Sequence, residues 1–148
     1  MNILGKCASS FIFLGFRAKE MYFKVNEHRV GTEFDLDFDL ETKFDYEDLA
    51  DKSKCTVSLV ASFFKDYETS EKNYPFEFKI ILEGYFCASK SEMNVQQFHS
   101  LSEKNGVAML FPYLRSIICD ASKMANIPPI LLPSMNILKF LEERKQNK

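Results

Sequence analysis

Tryptophan is absent from the 148 residues, histidine occurs twice, and glycine and proline five times each. The two histidines, His28 and His99, have no cysteine or second histidine at ligand spacing, so no metal site is expected. So few glycines make a phosphate-cradling loop unlikely on composition, and no nucleophile elbow or paired-histidine motif is present. The sequence therefore reads as a non-enzyme without a cofactor. Four cysteines, Cys7, Cys55, Cys87 and Cys119, form no CxxC pair, which excludes zinc-finger and dithiol redox motifs. They are expected to be reduced thiols in the core or at the surface, as in cytosolic proteins. The apolar run at residues 11–16 falls below the roughly 7–15 residues of a signal-peptide core. No run approaches the roughly 18 residues of a membrane helix. A cytoplasmic protein without membrane insertion is expected. Neither sign of charge dominates: 19 Lys and Arg face 21 Asp and Glu, a net charge of −2. That excludes the basic field of a nonspecific nucleic-acid binder.

Phenylalanine is abundant, with 15 copies, and hydrophobic residues make up 46% of the chain, which excludes intrinsic disorder. The surplus suggests more apolar surface than one small core can hide, the remainder serving an oligomer or a partner. The length fits a single domain over 1–148. Its first half alternates with period two. Phe34, Leu36, Phe38 and Leu40 are separated by Asp35, Asp37 and Asp39, giving an apolar face and an acidic face. Similar stripes run through Met21, Phe23 and Val25, through Cys55 to Phe63, and through Phe76 to Phe86. Four strands are predicted at about 9–25, 33–44, 53–65 and 75–88, in an antiparallel sheet with one covered face. A polar hairpin loop is predicted at residues 65–73. The three aspartates do not make a calcium loop, because Leu40 and Tyr46 stand where glycine and glutamate are required.

The second half changes period. Val107, Leu110, Phe111, Leu114, Ile117, Ile118, Ala121 and Met124 recur at helical spacing. Pro112 lies within the stripe, so the helix is either kinked there or regular only from there on. Asn105-Gly106 is read as a break, with a shorter helix at about 93–104 before it. Residues 126–133 form an apolar, proline-rich linker, and a final helix is predicted at about 134–145. The architecture is therefore α+β: a four-stranded antiparallel sheet over 9–88, with one long helix and a shorter C-terminal helix from 93–145 on one face.

Leu110-Phe111-Pro112-Tyr113, Arg115 and Ile118, followed by Pro128, Ile130, Leu132 and Asn136, resemble the LFPYxR helix and proline–leucine–asparagine linker of the SecB family of bacterial export chaperones. Gly84-x-Phe86 resembles that family's strand ending, and the likeness spans about 11–141. It implies an ATP-independent holdase, a homotetramer built as a dimer of dimers, that binds non-native polypeptides in apolar grooves. Carried over to this chain, the peptide-binding residues are Phe34, Leu36, Phe38 and Leu40 with Ile137 and Leu141. The subunit contacts fall on Leu110, Tyr113, Leu114 and Ile117. The client would be an antitoxin, as in the toxin–antitoxin branch of the family, or a preprotein delivered to the SecA motor. Glu20 fits the family's SecA-docking acidic patch, whereas Lys24 and Lys79 stand where acids are expected. The tail 142–148 lacks the family's acidic or metal-binding character, Pro133 comes one place early, and Ile137 replaces an aromatic. SecA is thus left open as a partner. The reading from another class is a carrier of a small apolar ligand, with the phenylalanines around a closed pocket.

Overall fold

The computed structural model describes residues 10–27, 36–64, 74–133 and 136–146. Four strands, β1 (Ile12–Val25), β2 (Phe38–Asp48), β3 (Lys52–Phe63) and β4 (Phe76–Ser89), form one antiparallel sheet in the order β1-β4-β3-β2. The helical part follows as α1 (Val95–Leu101), a π-helical segment (Ser102–Gly106), α2 (Val107–Met124) and α3 (Ile137–Gln146). The predicted α+β arrangement is therefore observed. The predicted loop at 65–73 lies outside the described residues.

Period-two alternation sets which side chains face the helices. In register, Phe63 lies beside Phe78, Leu59 beside Leu82 and Val57 beside Gly84, all buried. Phe38, Leu40, Phe44 and Tyr46 of β2 share that face, opposite Phe63, Ala61, Val57 and Cys55. β2 lies further along the chain than the predicted 33–44. Phe44 and Tyr46 continue the alternation, and the acids that follow each of them, Asp45 and Glu47, occupy the solvent side of the strand rather than opening a turn. Buried rings pack on one another, as at Phe11–Phe86 (5.0 Å between centroids) and Phe63–Phe78 (5.8 Å).

The helical run sits close on the sheet because small residues stand beneath it. A Cβ on Gly84 would lie 2.9 Å from Cδ1 of Leu110, and one on Gly106 would lie 3.2 Å from Cγ2 of Val57. The strand-ending glycine of the Gly84-x-Phe86 motif is thus a seat for α2. Gly106 is likewise no break: its φ of −58° is helical, and it continues the chain from the π-helical segment into α2. α2 is regular from Val107, one turn before Pro112, whose ring faces solvent. Asn94 caps α1 with a reciprocal pair, accepting from the Gln97 amide (2.8 Å) while Gln97 Oε1 accepts from the Asn94 amide (3.1 Å).

α2 ends at Asn126, whose φ of 56° lets the Ile127 amide donate to the Ser122 carbonyl (3.2 Å). The linker is then tied back to α2. Ser122 Oγ accepts from the Ile130 amide (2.9 Å), and Arg115 Nε donates to the Leu132 carbonyl (2.9 Å). Ile130 and Leu132 are consequently buried, and Leu131 between them is exposed. The arginine of the LFPYxR pattern therefore positions the chain that leads to α3. At the far end of β3, Phe64 adopts a φ of 57°, strained for so bulky a residue. It is held there by burial, an edge-on contact with Phe76 (5.2 Å) and the hydrogen bond its amide donates to the Asp37 carbonyl (3.1 Å).

Candidate functional site

The side chains expected to bind a peptide separate into three groups. Leu36 is exposed (43%) just before β2. Phe38 and Leu141 are half-buried, Phe38 with its ring 5.0 Å from Phe63 and 5.9 Å from Phe140. Leu40 and Ile137 are core residues, which corrects their assignment to a surface. Leu40 stands beside the small Ala61 and fills the space that alanine leaves, and Ile137 opens α3 against the body of the protein. Phe34 lies outside the described residues. Phe140 was missed: it contributes the ring that covers Phe38. The i, i+3 step from Ile137 to Phe140 was the available signal.

The expected subunit contacts divide in a similar way. Leu110 and Leu114 are fully buried between α2 and the sheet of their own subunit, so they cannot touch another copy, and that assignment is corrected. A helix lays only one face on a sheet, and these two residues lie on it. Ile117 is half-buried, and Tyr113 is exposed (41%) with its ring 4.4 Å from Phe16 of β1.

β1 carries the largest run of uncovered apolar side chains. On the helix side Phe16, beside Tyr113 of α2, and Met21 and Val25 are exposed. On the opposite side Ile12 and Tyr22 are exposed, and Leu14 (59%) stands at a bulge. The bulges, between Phe13 and Gly15 and between Ala18 and Glu20, shift the alternation, and Gly15 at φ 128° supplies the backbone freedom the first one needs. Alternation marked β1 as a strand, but only the sheet order shows that it is an edge strand among the described residues.

Two ion pairs stand on the face away from the helices. Arg17 Nε lies 2.9 Å from Glu83, whose Oε1 also accepts from the Tyr85 hydroxyl at 3.0 Å. Burial acts to raise the Glu83 pKa, but the bonds from Arg17 and Tyr85 outweigh it and hold the carboxyl below its usual range. Lys79 pairs with Glu20 at 3.6 Å, so the lysine that replaces an expected acid neutralises the neighbouring one. A shallow depression of about 400 Å³ on this side is lined by Leu14, Asp45, Glu47, Lys54 and Tyr85 among others. At β2, Arg144 of α3 pairs with Asp39 and, at 3.0 Å, with Glu41. Tyr46 stacks on His99 of α1 with centroids 3.8 Å apart. Burial pushes the Tyr46 phenol up to about 12 and the Cys55 thiol up to about 11. Cys55, Cys87 and Cys119 are free thiols, and Cys7 lies outside the described residues. Among the described residues no three His, Cys, Asp or Glu side chains converge on a metal-sized site, and no helix is long and apolar enough to cross a membrane.

A four-stranded antiparallel sheet with a long helical run and a short C-terminal helix on one face is the SecB-like fold. The chain superposes on the Mycobacterium tuberculosis SecB-like chaperone Rv1957, solved in complex with a ChAD peptide from the Rv1956 HigA1 antitoxin. The TM-score is 0.59 at 14% identity, over 84% of this chain and 90% of that one. In sequence it is 30% identical over 147 residues to the uncharacterized protein MJ0357 of Methanocaldococcus jannaschii, covering 95% of this chain and 89% of the relative. The chain belongs to the family of that protein. No protein-family model matches it.

Proposed function

We propose that this protein is an ATP-independent holdase that binds unfolded or aggregation-prone polypeptides and assembles as a homotetramer, a dimer of dimers. The observation that carries the reading is the set of apolar side chains left exposed on a closed SecB-like fold: Leu36 and half-buried Phe38 by α3, and Phe16, Met21 and Leu14 on β1. A chain kept unfolded loses conformational freedom on binding, so it is best held by many shallow, weakly directional apolar contacts. Flexible and aromatic side chains suit such promiscuity. The β1 edge serves assembly in this reading. Its exposed apolar side chains, on an edge strand among the described residues, are what a second copy would cover.

The client we favour is an antitoxin, by analogy with the peptide bound to the M. tuberculosis chaperone. Delivery of preproteins to SecA is the alternative, and the Glu20–Lys79 pair counts against it because it neutralises part of the acidic patch. In this reading the protein is cytoplasmic, is no enzyme, and takes no cofactor, metal or nucleic acid. Light scattering should return a mass of about four 17.2 kDa subunits. The protein should also suppress aggregation of a chemically unfolded client without nucleotide. A monomer that leaves aggregation unchanged would refute the proposal.

A further inference from the structure

α3 has ten residues, and isolated helices shorter than about 12–15 residues are marginal in water, so its order depends on how it docks. Three points hold it. Ile137 is buried at its start, Phe140 packs on Phe38 in its middle, and Arg144 near its end reaches Asp39 and Glu41. In a strand successive side chains point to opposite faces. Phe38 and Leu40 face the helices, so Asp39 and Glu41 face the other way. Phe140 therefore grips β2 from one side and Arg144 from the other, and α3 straddles the outer edge of β2. In doing so it covers Phe38 and hinders access to that edge. The Arg144 side chain is only 17% exposed and its pKa is raised, mainly by its bond to Asp39.

We propose that Arg144, with Asp39 and Glu41, is an electrostatic latch that sets how far the Phe38 end of the sheet is open to a client. The inference rests on the holdase reading and adds a control to it. Closed, α3 occupies the place of the client. Released, it uncovers Phe38 and the apolar side chains of α3, which a client's apolar side chains can then contact. Guanidinium–carboxylate attraction is screened by salt, whereas the contacts of Ile137 and Phe140 are not. Raised ionic strength should therefore loosen the end of α3 more than its start.

The test uses the full-length protein, Arg144→Gln and the conservative Arg144→Lys. Hydrogen exchange is followed at residues 138–146, and binding is measured to a permanently unfolded probe, reduced and carboxymethylated α-lactalbumin. Arg144→Gln should exchange about fivefold faster in α3, the order expected for loss of a partly buried ion-pair network, while α2 and β3 stay unchanged. It should also bind the probe several-fold tighter. Arg144→Lys should fall between, because lysine keeps the charge but not the forked geometry. In the wild type, 0.5 M sodium chloride should reproduce the faster exchange. Unchanged exchange in Arg144→Gln would overturn the latch. So would faster exchange with unaltered probe affinity in a background where the wild type binds. A wild type that does not bind the probe would instead remove the holdase reading and the gate with it.

Discussion

β1 and β2 are both edge strands of one sheet, and their outer sides are finished differently. β2 carries Asp39, Glu41, Asp45, Glu47 and Asp48, is crossed by α3 through Phe140 and Arg144, and is capped near its other end by His99 over Tyr46. Among the described residues, α2 lays Tyr113 against Phe13 and Phe16 of β1, and Leu14, Phe16, Met21 and Tyr22 are left exposed. Charges and covering elements are how proteins keep an edge from pairing, and a long apolar edge without them invites it. The difference teaches that the surplus phenylalanine and aliphatic surface is not spread evenly. In the proposed reading, the covered edge opens to a client and the more exposed edge serves assembly.

The largest effect that would break this comparison is at β1. Phe16→Glu with Met21→Glu places two charges on side chains already exposed, so each subunit should still fold. Association through this edge should be lost, with the light-scattering mass falling at least twofold. A tetramer that survives would move the subunit contacts elsewhere and leave the bare edge unexplained. At the guarded edge the corresponding change is Phe38→Ala. It removes a half-buried ring from between Phe63 and Phe140 and should cost about 2 kcal/mol in urea unfolding, below the range for a fully buried phenylalanine. Client affinity should fall while the oligomer stays intact. Between the two edges, Gly84→Ala tests the seat of α2. Its Cβ would crowd Leu110, which is buried and cannot swing away, at a cost of about 1–2 kcal/mol without a change in assembly.

Much of this architecture was legible in residue order. Alternation located all four strands, and the three-and-four spacing located α2, because both periods follow from how the backbone repeats. Function was less legible, for a physical reason. Leu36, Phe38 and Leu40 form one stripe in the sequence, yet Leu36 is exposed, Phe38 half-buried and Leu40 fully buried. What separates them is where α2 and α3 come to rest above the sheet. Leu110 and Tyr113 belong to one motif and lie on neighbouring faces of α2, yet the first is buried over the centre of the sheet and the second is exposed at its β1 edge, beside Phe16. Strand order is also invisible to local pattern, so nothing in β1 announced an edge. Asn105-Gly106 misled because glycine commonly breaks helices, whereas here it permits close approach to Val57.

The smallest expected effect sharpens the account of how β2 is guarded at its α1 end. Cys55 and Tyr46 face each other across β2 and β3, beneath His99. Burial raises both acids, the thiol to about 11 and the phenol to about 12, which means the fold favours their neutral forms. The unfolded chain loses these protons first, from about pH 8.5 for cysteine and about pH 10 for tyrosine. Below that range the contribution to stability is constant. As pH rises through it, the unfolded state gains and the protein weakens until the folded-state values are passed. Urea midpoints measured from pH 8 to 11 should therefore decline more steeply for the wild type than for Cys55→Ala with Tyr46→Phe. Arg144→Gln should not alter that slope, because its ion pairs hold the opposite end of β2. Equal slopes in the wild type and the Cys55–Tyr46 variant would mean that this end is open to water, and that β2 is guarded by α3 alone.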